Sequence, residues 1–479
     1  MEKSLTQELK RLVGPDQVSD GPADCEAYSY VSNGIDFDIK PPDVVVMPRT
    51  KEDVVRIVRL ANEKNVPLMP RGKGTAMLGC NVAQHGGIMV DMSLMNKIIS
   101  IDKDAMVAVL EAGCIVNDFF NVLDKNNLLY PIRPWLDPQM TRGAYAACNG
   151  NGDFANVHGT VGQTVVGLEV VLPSGDLVRL GSWTNEKGFG PFMRYPGGPD
   201  LVGLFTGSIG TLGIITEVAV RLLDKPKHKL YRAFGWTRED TEGVAKASHA
   251  FLRSPNIANY SVHNYWTLRG AIKTGAVNLP KGIYFVVDIM AFANSKAEMK
   301  VKEEEMVEIG SQYGCDLGSE NCQGTHGPPL YVINAGHYKL QRSFPKRSSS
   351  GVAWCQLYFY APILKFTTWW NFFEQKVNQY GFLDKDRGPC LFGWAIPPEV
   401  MAPFPTFGYR AGDPDEVKRM KLAFDDIMGG LLKMGCTPYS LGAFIPAKEQ
   451  RETLGSSYQL YQSIKRALDP KGLFNPGQI

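Results

Sequence analysis

Pro70-Arg71-Gly72-Lys73-Gly74-Thr75 follows the apolar run Val66 to Met69, and the reading of the fold turns on it. With Gly79 close behind, its glycines let the backbone approach a phosphate and aim N–H groups inward. Hydrogen bonds to a charged group contribute about 1.5–3 kcal/mol each, so a few converging amides hold a pyrophosphate without an indispensable lysine. Upstream, Val44, Val45 and Val46 form a β-branched run between Pro42 and Pro48 and read as a strand. Thr50 then offers an N-cap and Asp53 an acidic first turn. Val54, Val55, Ile57, Val58 and Leu60 build one apolar face before Asn65 ends the helix. Strand, helix, strand and glycine turn make an α/β unit. The loop lacks the Walker lysine spacing and the dinucleotide glycine fingerprint, which disfavours a P-loop or an NAD fold. On its own it is read equally well as a surface turn.

Beyond this unit, Gly87 to Met92 and Met106 to Ala112 read as strands and Val116 to Asn127 as a helix. Val166 to Leu180 reads as a hairpin around Pro173-Ser174-Gly175. The glycine-rich texture stops near Asp224-Lys225-Pro226 and aromatic residues become frequent. Residues 1–226 are therefore expected to form one unit and 227–433 an α+β cap, with helices near Thr241 to Leu252 and Ala297 to Tyr313. Residues 434–479 are expected to return to the first unit. Glu320 to Pro329 reads as an internal loop.

At 479 residues the chain exceeds the usual size of a single core. Its 44% hydrophobic and 21% charged residues are those of a globular protein, and a formal charge of +2 without basic blocks does not call for a nucleic-acid partner, so none is expected. The N-terminus lacks a secretory apolar core, and no run is long enough to cross a bilayer, so a cytoplasmic protein is expected. Nine cysteines without close pairs point to reduced thiols.

Five further segments give the loop its meaning: Asp137-Pro138, Thr141-Arg142-Gly143, Asn149-Gly150-Asn151-Gly152, His158-Gly159-Thr160, and Gly207-Ser208-Ile209-Gly210-Thr211-Leu212-Gly213-Ile214-Ile215-Thr216-Glu217. In this order they resemble the FAD-binding domain of the vanillyl-alcohol oxidase and p-cresol methylhydroxylase flavoprotein superfamily. That superfamily includes glycolate-oxidase-like and D-lactate-dehydrogenase-like enzymes. The resemblance covers about residues 40 to 225 and returns at Leu468 to Gly477. It implies an α+β fold, a two-part FAD-binding domain with an α+β cap, and an FAD-dependent dehydrogenase or oxidase. By the same resemblance, Pro70, Arg71, Gly72, Lys73, Gly74 and Thr75 bind the pyrophosphate, with Asp137 and Pro138 beside them. Gly143, Asn149, Gly150 and Asn151 line the flavin and ribityl chain, Gly159 and Thr160 lie near the isoalloxazine, and Gly213 and Ile215 contact the adenine half.

Two departures matter. Ile209 stands where many relatives carry Glu, and the His-containing Gly-Asp-Gly-Asn segment of metal-assisted 2-hydroxy-acid members is missing. The seven histidines are isolated, so no metal site is expected. His337-Tyr338 is the most suggestive candidate for a covalent flavin link, a polar loop histidine being the commoner reading, and non-covalent FAD is the expectation. Cys148, beside Asn149, reads as a small buried residue.

For the chemistry, hydride transfer to flavin N5 needs a partner that takes a proton or stabilises negative charge. The C-terminal resemblance places Tyr439 near the Tyr-Arg pair that activates phenols in relatives, although Ser440 replaces the arginine. Tyr409-Arg410 is a second Tyr-Arg pair, able in principle to bind a phenolate or carboxylate. Tyr265, Trp266, Trp354, Tyr358, Tyr360, Trp369 and Trp370 favour core packing or a flat apolar ligand. A small aromatic or alicyclic alcohol, phenol or hydroxy acid is the expected substrate. The alternatives are a glycolate or D-lactate type dehydrogenase without the metal motif, an electron-relay subunit of a complex, and a binding protein that has lost its flavin. Oxygen, a cytochrome, a quinone or an electron-transfer flavoprotein all remain open as acceptor, and homo-oligomers or complexes as assembly.

Overall fold

The computed structural model describes residues 4–29, 39–76, 79–134, 139–273, 275, 277–319, 352–440 and 447–478. Asp137-Pro138, the Glu320 to Pro329 loop and His337-Tyr338 lie outside the described residues.

The helix Lys51–Lys64 forms as its local sequence dictates. The Thr50 hydroxyl accepts the Asp53 N–H at 3.1 Å while the Asp53 carboxylate accepts the Thr50 N–H at 3.1 Å, which closes a capping box. Asn65, at φ 54°, ends it in the left-handed region that asparagine tolerates. Val54, Ile57, Val58 and Leu60 are buried, at about 1.5–3 kcal/mol for each full side chain removed from water.

This helix is the crossover of a four-stranded sheet ordered Val18–Ser19, Val44–Val46, Ile88–Asp91, Leu68–Arg71, whose last three strands run parallel. Pro70 to Thr75 therefore leaves the carboxyl end of a parallel strand, where α/β sheets place their ligands. A five-stranded antiparallel sheet follows, ordered Ile98–Asp102, Val107–Glu111, Ile214–Arg221, Val165–Val171, Leu177–Gly181. Its Val165–Val171 and Leu177–Gly181 arms are the expected hairpin. One core joins the two sheets, with Val46, Ile57, Leu68, Val90, Leu110, Leu168 and Val218 in contact. Where they meet, the wholly buried Glu169 carboxylate is paired with Lys51 Nζ and Arg179 Nε, each at 3.0 Å.

The chain leaves the five-stranded sheet at Arg221 and enters an eight-stranded sheet at His228. That sheet is ordered Cys315–Gly318, His228–Trp236, Phe285–Ala293, Asn259–Asn264, Phe392–Ile396, Val400–Pro403, Phe359–Pro362, Thr437–Pro438. Its backbone is the nine-residue pairing of His228–Trp236 with Phe285–Ala293. The helices Thr241–Arg253, Phe366–Gln379 and Pro414–Lys433 supply the second core, and Trp369 and Trp370 are buried there at 1% and 0% exposure. These two tryptophans are packing residues. Thr437–Pro438 still belongs to the eight-stranded sheet, and the next described helix whose contacts reach the first core is Ser456–Leu468, through Tyr461, Ile464 and Leu468.

One titratable group marks the join between the short helices 155–164 and the five-stranded sheet. His158 Nδ1 faces Arg221 Nη2 at 3.3 Å, and burial, then the neighbouring guanidinium, pushes its pKa down to about 4. Below about pH 6.5 the unfolded chain binds a proton that the folded chain refuses, so stability falls as pH drops from 6.5 towards 4 and then levels. His158→Gln is expected to flatten this slope, measured as a smaller drop in Tm between pH 7 and pH 5. Equal slopes in both proteins would refute the assignment.

Candidate functional site: a cofactor cavity between the two cores

A cavity of about 1330 Å³, counting its open mouth, lies between the cradle loop, the helix Arg142–Ala147, the loop 207–213 and the aromatic edge of the eight-stranded sheet. The cradle is shaped by Arg71, which is buried and lines the cavity. Its Nη1 donates to the carbonyls of Tyr28 at 3.0 Å and Asn81 at 2.5 Å, and the guanidinium lies over the Tyr28 ring. Gly74, at φ 68°, sits against this guanidinium: a Cβ there would lie 2.1 Å from Nη2. A Cβ on Gly72 would lie 2.1 Å from Thr141 Oγ1, so this position must be glycine for the loop to meet the helix. The Lys73 and Gly74 backbone N–H groups donate to no protein acceptor among the described residues.

The wall also holds polar atoms that lack a partner among the described residues: Thr141 Oγ1, Asn81 Oδ1, and both Oδ1 and Nδ2 of Asn151. Buried polar groups of this kind cost about 1–3 kcal/mol each when unpaired, which identifies a surface built to be completed by a ligand. Free amides beside glycines at one end and a donor–acceptor amide at the other fit a long ligand with a phosphate and a heteroaromatic ring.

Of the residues singled out in the sequence, Pro70, Arg71, Gly72, Gly74, Thr75, Gly143, Gly150, Asn151, Gly213, Ile215 and Tyr439 line the cavity. Lys73 does not, and its side chain is exposed. Asn149 also lies outside the lining: it is a left-handed residue, φ 47°, whose Oδ1 accepts the Gly162 N–H at 2.9 Å. Gly159 ends the short helix Ala155–His158, and Thr160 caps the next one, its N–H donating to Gln163 Oε1 at 2.8 Å. Both shape a turn rather than the wall.

Neither Tyr409 nor Arg410 is among the residues that line the cavity. Adjacent strand residues point to opposite faces, so Tyr409 is buried in the cap core while Arg410 reaches solvent. Arg410 Nη1 pairs with the buried Glu416 at 2.6 Å, and Glu416 also takes Arg387 Nη1 at 2.7 Å. Arg410→Gln is expected to leave the rate of flavin reduction within twofold while lowering Tm. A tenfold loss of rate would restore a role in catalysis.

Trp394, Phe404, Tyr145, Cys80 and Asn81 line the cavity without having been singled out. Tyr145 alone carried a local signal, one helical turn beyond Thr141 in the helix that opens there. Tyr439, Tyr358, Phe404 and Trp394 form one aromatic wall: Tyr439 lies 5.7 Å from Phe404 and 6.1 Å from Tyr358, and Trp394 5.2 Å from Phe404. The Tyr439 hydroxyl accepts the Asn151 N–H at 3.2 Å, and burial raises its pKa well above that of a free phenol. It therefore stays protonated, and its own hydrogen has no acceptor among the described residues. Arg71 is the one charged side chain among the described lining residues.

The far side of the cradle is held by residues near 470. Asn475 Nδ2 donates to the carbonyls of Cys80 at 3.0 Å and Ile209 at 2.7 Å, and Gln478 Nε2 to Gly79 at 3.1 Å. Partly buried Lys465 Nζ donates to Thr211 O at 2.6 Å and Phe474 O at 2.8 Å. This clamp holds Ile209 at φ 48°, a conformation that β-branched residues rarely adopt. Asn475→Ala leaves two buried carbonyls unpaired, at about 1–3 kcal/mol each. The expected result is a lower Tm together with faster FAD loss on dilution. Unchanged FAD retention would show that the clamp does not reach the cavity.

Residues 42–181 match the family described as FAD binding domain, and residues 361–479 the family described as FAD linked oxidases, C-terminal domain. The chain is 34% identical over its whole length to glycolate oxidase subunit GlcD of Bacillus subtilis, of which it covers 97%. It is 32% identical over 51% of its length to the mitochondrial D-lactate dehydrogenase (cytochrome) of Arabidopsis thaliana, of which it covers 42%. In fold, 99% of the chain superimposes on 96% of 4-ethylphenol oxidase from Gulosibacter chungangensis at a TM-score of 0.81 and 19% identity. The same share superimposes on 95% of p-cresol methylhydroxylase, again at 0.81, with 18% identity. Among the described residues no group of three His, Cys, Asp or Glu could hold a metal ion, and no helix is long and apolar enough to cross a membrane. A cradle of glycines and free amides, an unpaired donor–acceptor wall and a full-length relative agree: the chain belongs to the FAD-linked oxidases of the vanillyl-alcohol oxidase and p-cresol methylhydroxylase superfamily and is an FAD-dependent oxidoreductase.

Proposed function

We propose that the chain oxidises an apolar aromatic or alicyclic alcohol or phenol, held against the wall of Tyr358, Trp394, Phe404 and Tyr439. The carrying observation is that wall, in a lining whose one charged side chain among the described residues, Arg71, has its Nη1 bonded to two backbone carbonyls. A hydroxy acid would bring a carboxylate, which needs a cation or several aimed donors to leave water. When bound, FAD supplies the hydride acceptor, N5. Tyr439, kept neutral by burial, donates a hydrogen bond to the substrate oxygen. The aromatic faces orient a flat ring and exclude water. The free Lys73 and Gly74 amides would hold the pyrophosphate and the unpaired Asn151 amide would supply a further polar contact to FAD, held without a covalent bond.

The similarity to glycolate oxidase subunit GlcD favours a second reading, a 2-hydroxy acid as hydride donor. An anaerobic screen separates the two by bleaching of the flavin band. The first reading expects bleaching by 4-alkylphenols or by benzylic or alicyclic alcohols. Bleaching by D-lactate, glycolate or 2-hydroxyglutarate alone would overturn it.

A further inference from the structure

Cys80 and Cys148 both line the cavity, and their Sγ atoms lie 3.8 Å apart. Cys80 follows the cradle loop, and its backbone carbonyl accepts from Asn475 Nδ2. Cys148 is the last residue of the turn that ends the helix Arg142–Ala147, the helix against which Gly72 packs. Each sulfur has the other as its hydrogen-bond partner. A cystine needs the sulfurs at about 2.05 Å, so rotation of the two side chains and a small approach of the segments closes the gap. The pair is 68 positions apart in sequence, and neither residue has a cysteine beside it; only the fold brings the thiols together.

We propose that Cys80 and Cys148 form a reversible disulfide, made by hydrogen peroxide, that ties the two walls of the FAD cavity together and retains the cofactor. The contact between the two sulfurs lowers the Cys148 thiol and, with burial, raises the Cys80 thiol, so Cys148 is assigned as the attacking group. The Cys148 thiolate forms an S–O bond with peroxide as the O–O bond breaks, and hydroxide leaves to take up a proton as water. Cys80 sulfur then attacks Cys148 sulfur, the S–O bond breaks, and a second water leaves with the Cys80 proton. Two thiols lose two electrons in all, and one peroxide becomes two waters. A small thiol reverses the link by exchange.

Closing the link joins the segment after the cradle to the helix that faces it, and these are the surfaces that must part for FAD to leave. The test treats the holoenzyme with hydrogen peroxide, alkylates it and maps peptides without reduction. The expected product joins the Cys80 and Cys148 peptides, 2 Da below their sum, and dissolves on adding dithiothreitol. Release of FAD on dilution, followed by the fluorescence of the freed cofactor, is expected to slow at least about tenfold in the oxidised protein. Peroxide is expected to leave the release rate of Cys148→Ser unchanged. Recovery of the two cysteines as separate alkylated or overoxidised peptides overturns the pair, and this readout needs no variant to fold. A joined peptide with an unchanged release rate overturns the retention.

Discussion

Tyr439→Phe is expected to slow reduction of the flavin by a phenolic or alcohol substrate about 100-fold, the usual worth of one positioned proton donor. The removed hydroxyl is the one group in the aromatic wall that combines a fixed acceptor position, on the Asn151 N–H, with a hydrogen of its own. Because burial raises the Tyr439 pKa, the group acts as a neutral donor throughout the range in which the protein is studied, and the rate should not depend on its titration near neutral pH. The variant also leaves the Asn151 N–H without its acceptor, at about 1–3 kcal/mol, so a fall in Tm should accompany the kinetic loss. Anaerobic stopped-flow mixing reads the rate, and the flavin absorbance of the purified protein reads occupancy. A rate within threefold of the parent at full occupancy would remove Tyr439 from the chemistry.

Gly74→Val is expected to raise the Kd for FAD at least about 100-fold, a loss of about 2.7 kcal/mol. Two costs act together. A β-branched residue at φ 68° is a backbone outlier. The added Cβ also falls within 2.1 to 2.6 Å of three atoms of the Arg71 side chain, which has no room to retreat while it holds Tyr28 O and Asn81 O. The loop must shift, and the N–H groups of Lys73 and Gly74 shift with it. Lys73→Ala is the control, since that side chain is exposed and outside the lining; it should change Kd by less than threefold. Titration of the apoprotein with FAD gives both values, and comparable losses in the two variants would move the pyrophosphate contact from backbone to lysine.

Local rules carried the reading wherever a feature depends on neighbours in sequence. The Thr50–Asp53 capping box, the left-handed Asn65 and the Val165–Gly181 hairpin all depend on residues a few positions apart. The glycine cradle was legible for the same reason. Asn149, Gly159 and Thr160 belong to the family's ordered segments, but their groups are spent on turns, a difference that spacing does not reveal. Tyr409-Arg410 looked like a pair because the residues are adjacent, and strand alternation sends them to opposite sides. Trp394 and Phe404 come together across the pairing of Phe392–Ile396 with Val400–Pro403, and Cys80 meets Cys148 in the cavity lining; contacts of this kind exist only once distant segments have packed.

The clamp formed by Asn475 and Gln478 also sets an order of events during biosynthesis. The side chain of Asn475 completes hydrogen bonds with residues 395 and 266 positions earlier, and that of Gln478 with one 399 positions earlier. A nascent chain can build the four-stranded sheet and its crossover helix early, yet the loops at Cys80 and Ile209 lack their last partners until residues 475 and 478 have been made. Tight capture of the cofactor is therefore a late event, and chains halted before that point should emerge folded in their first sheet but unable to keep flavin.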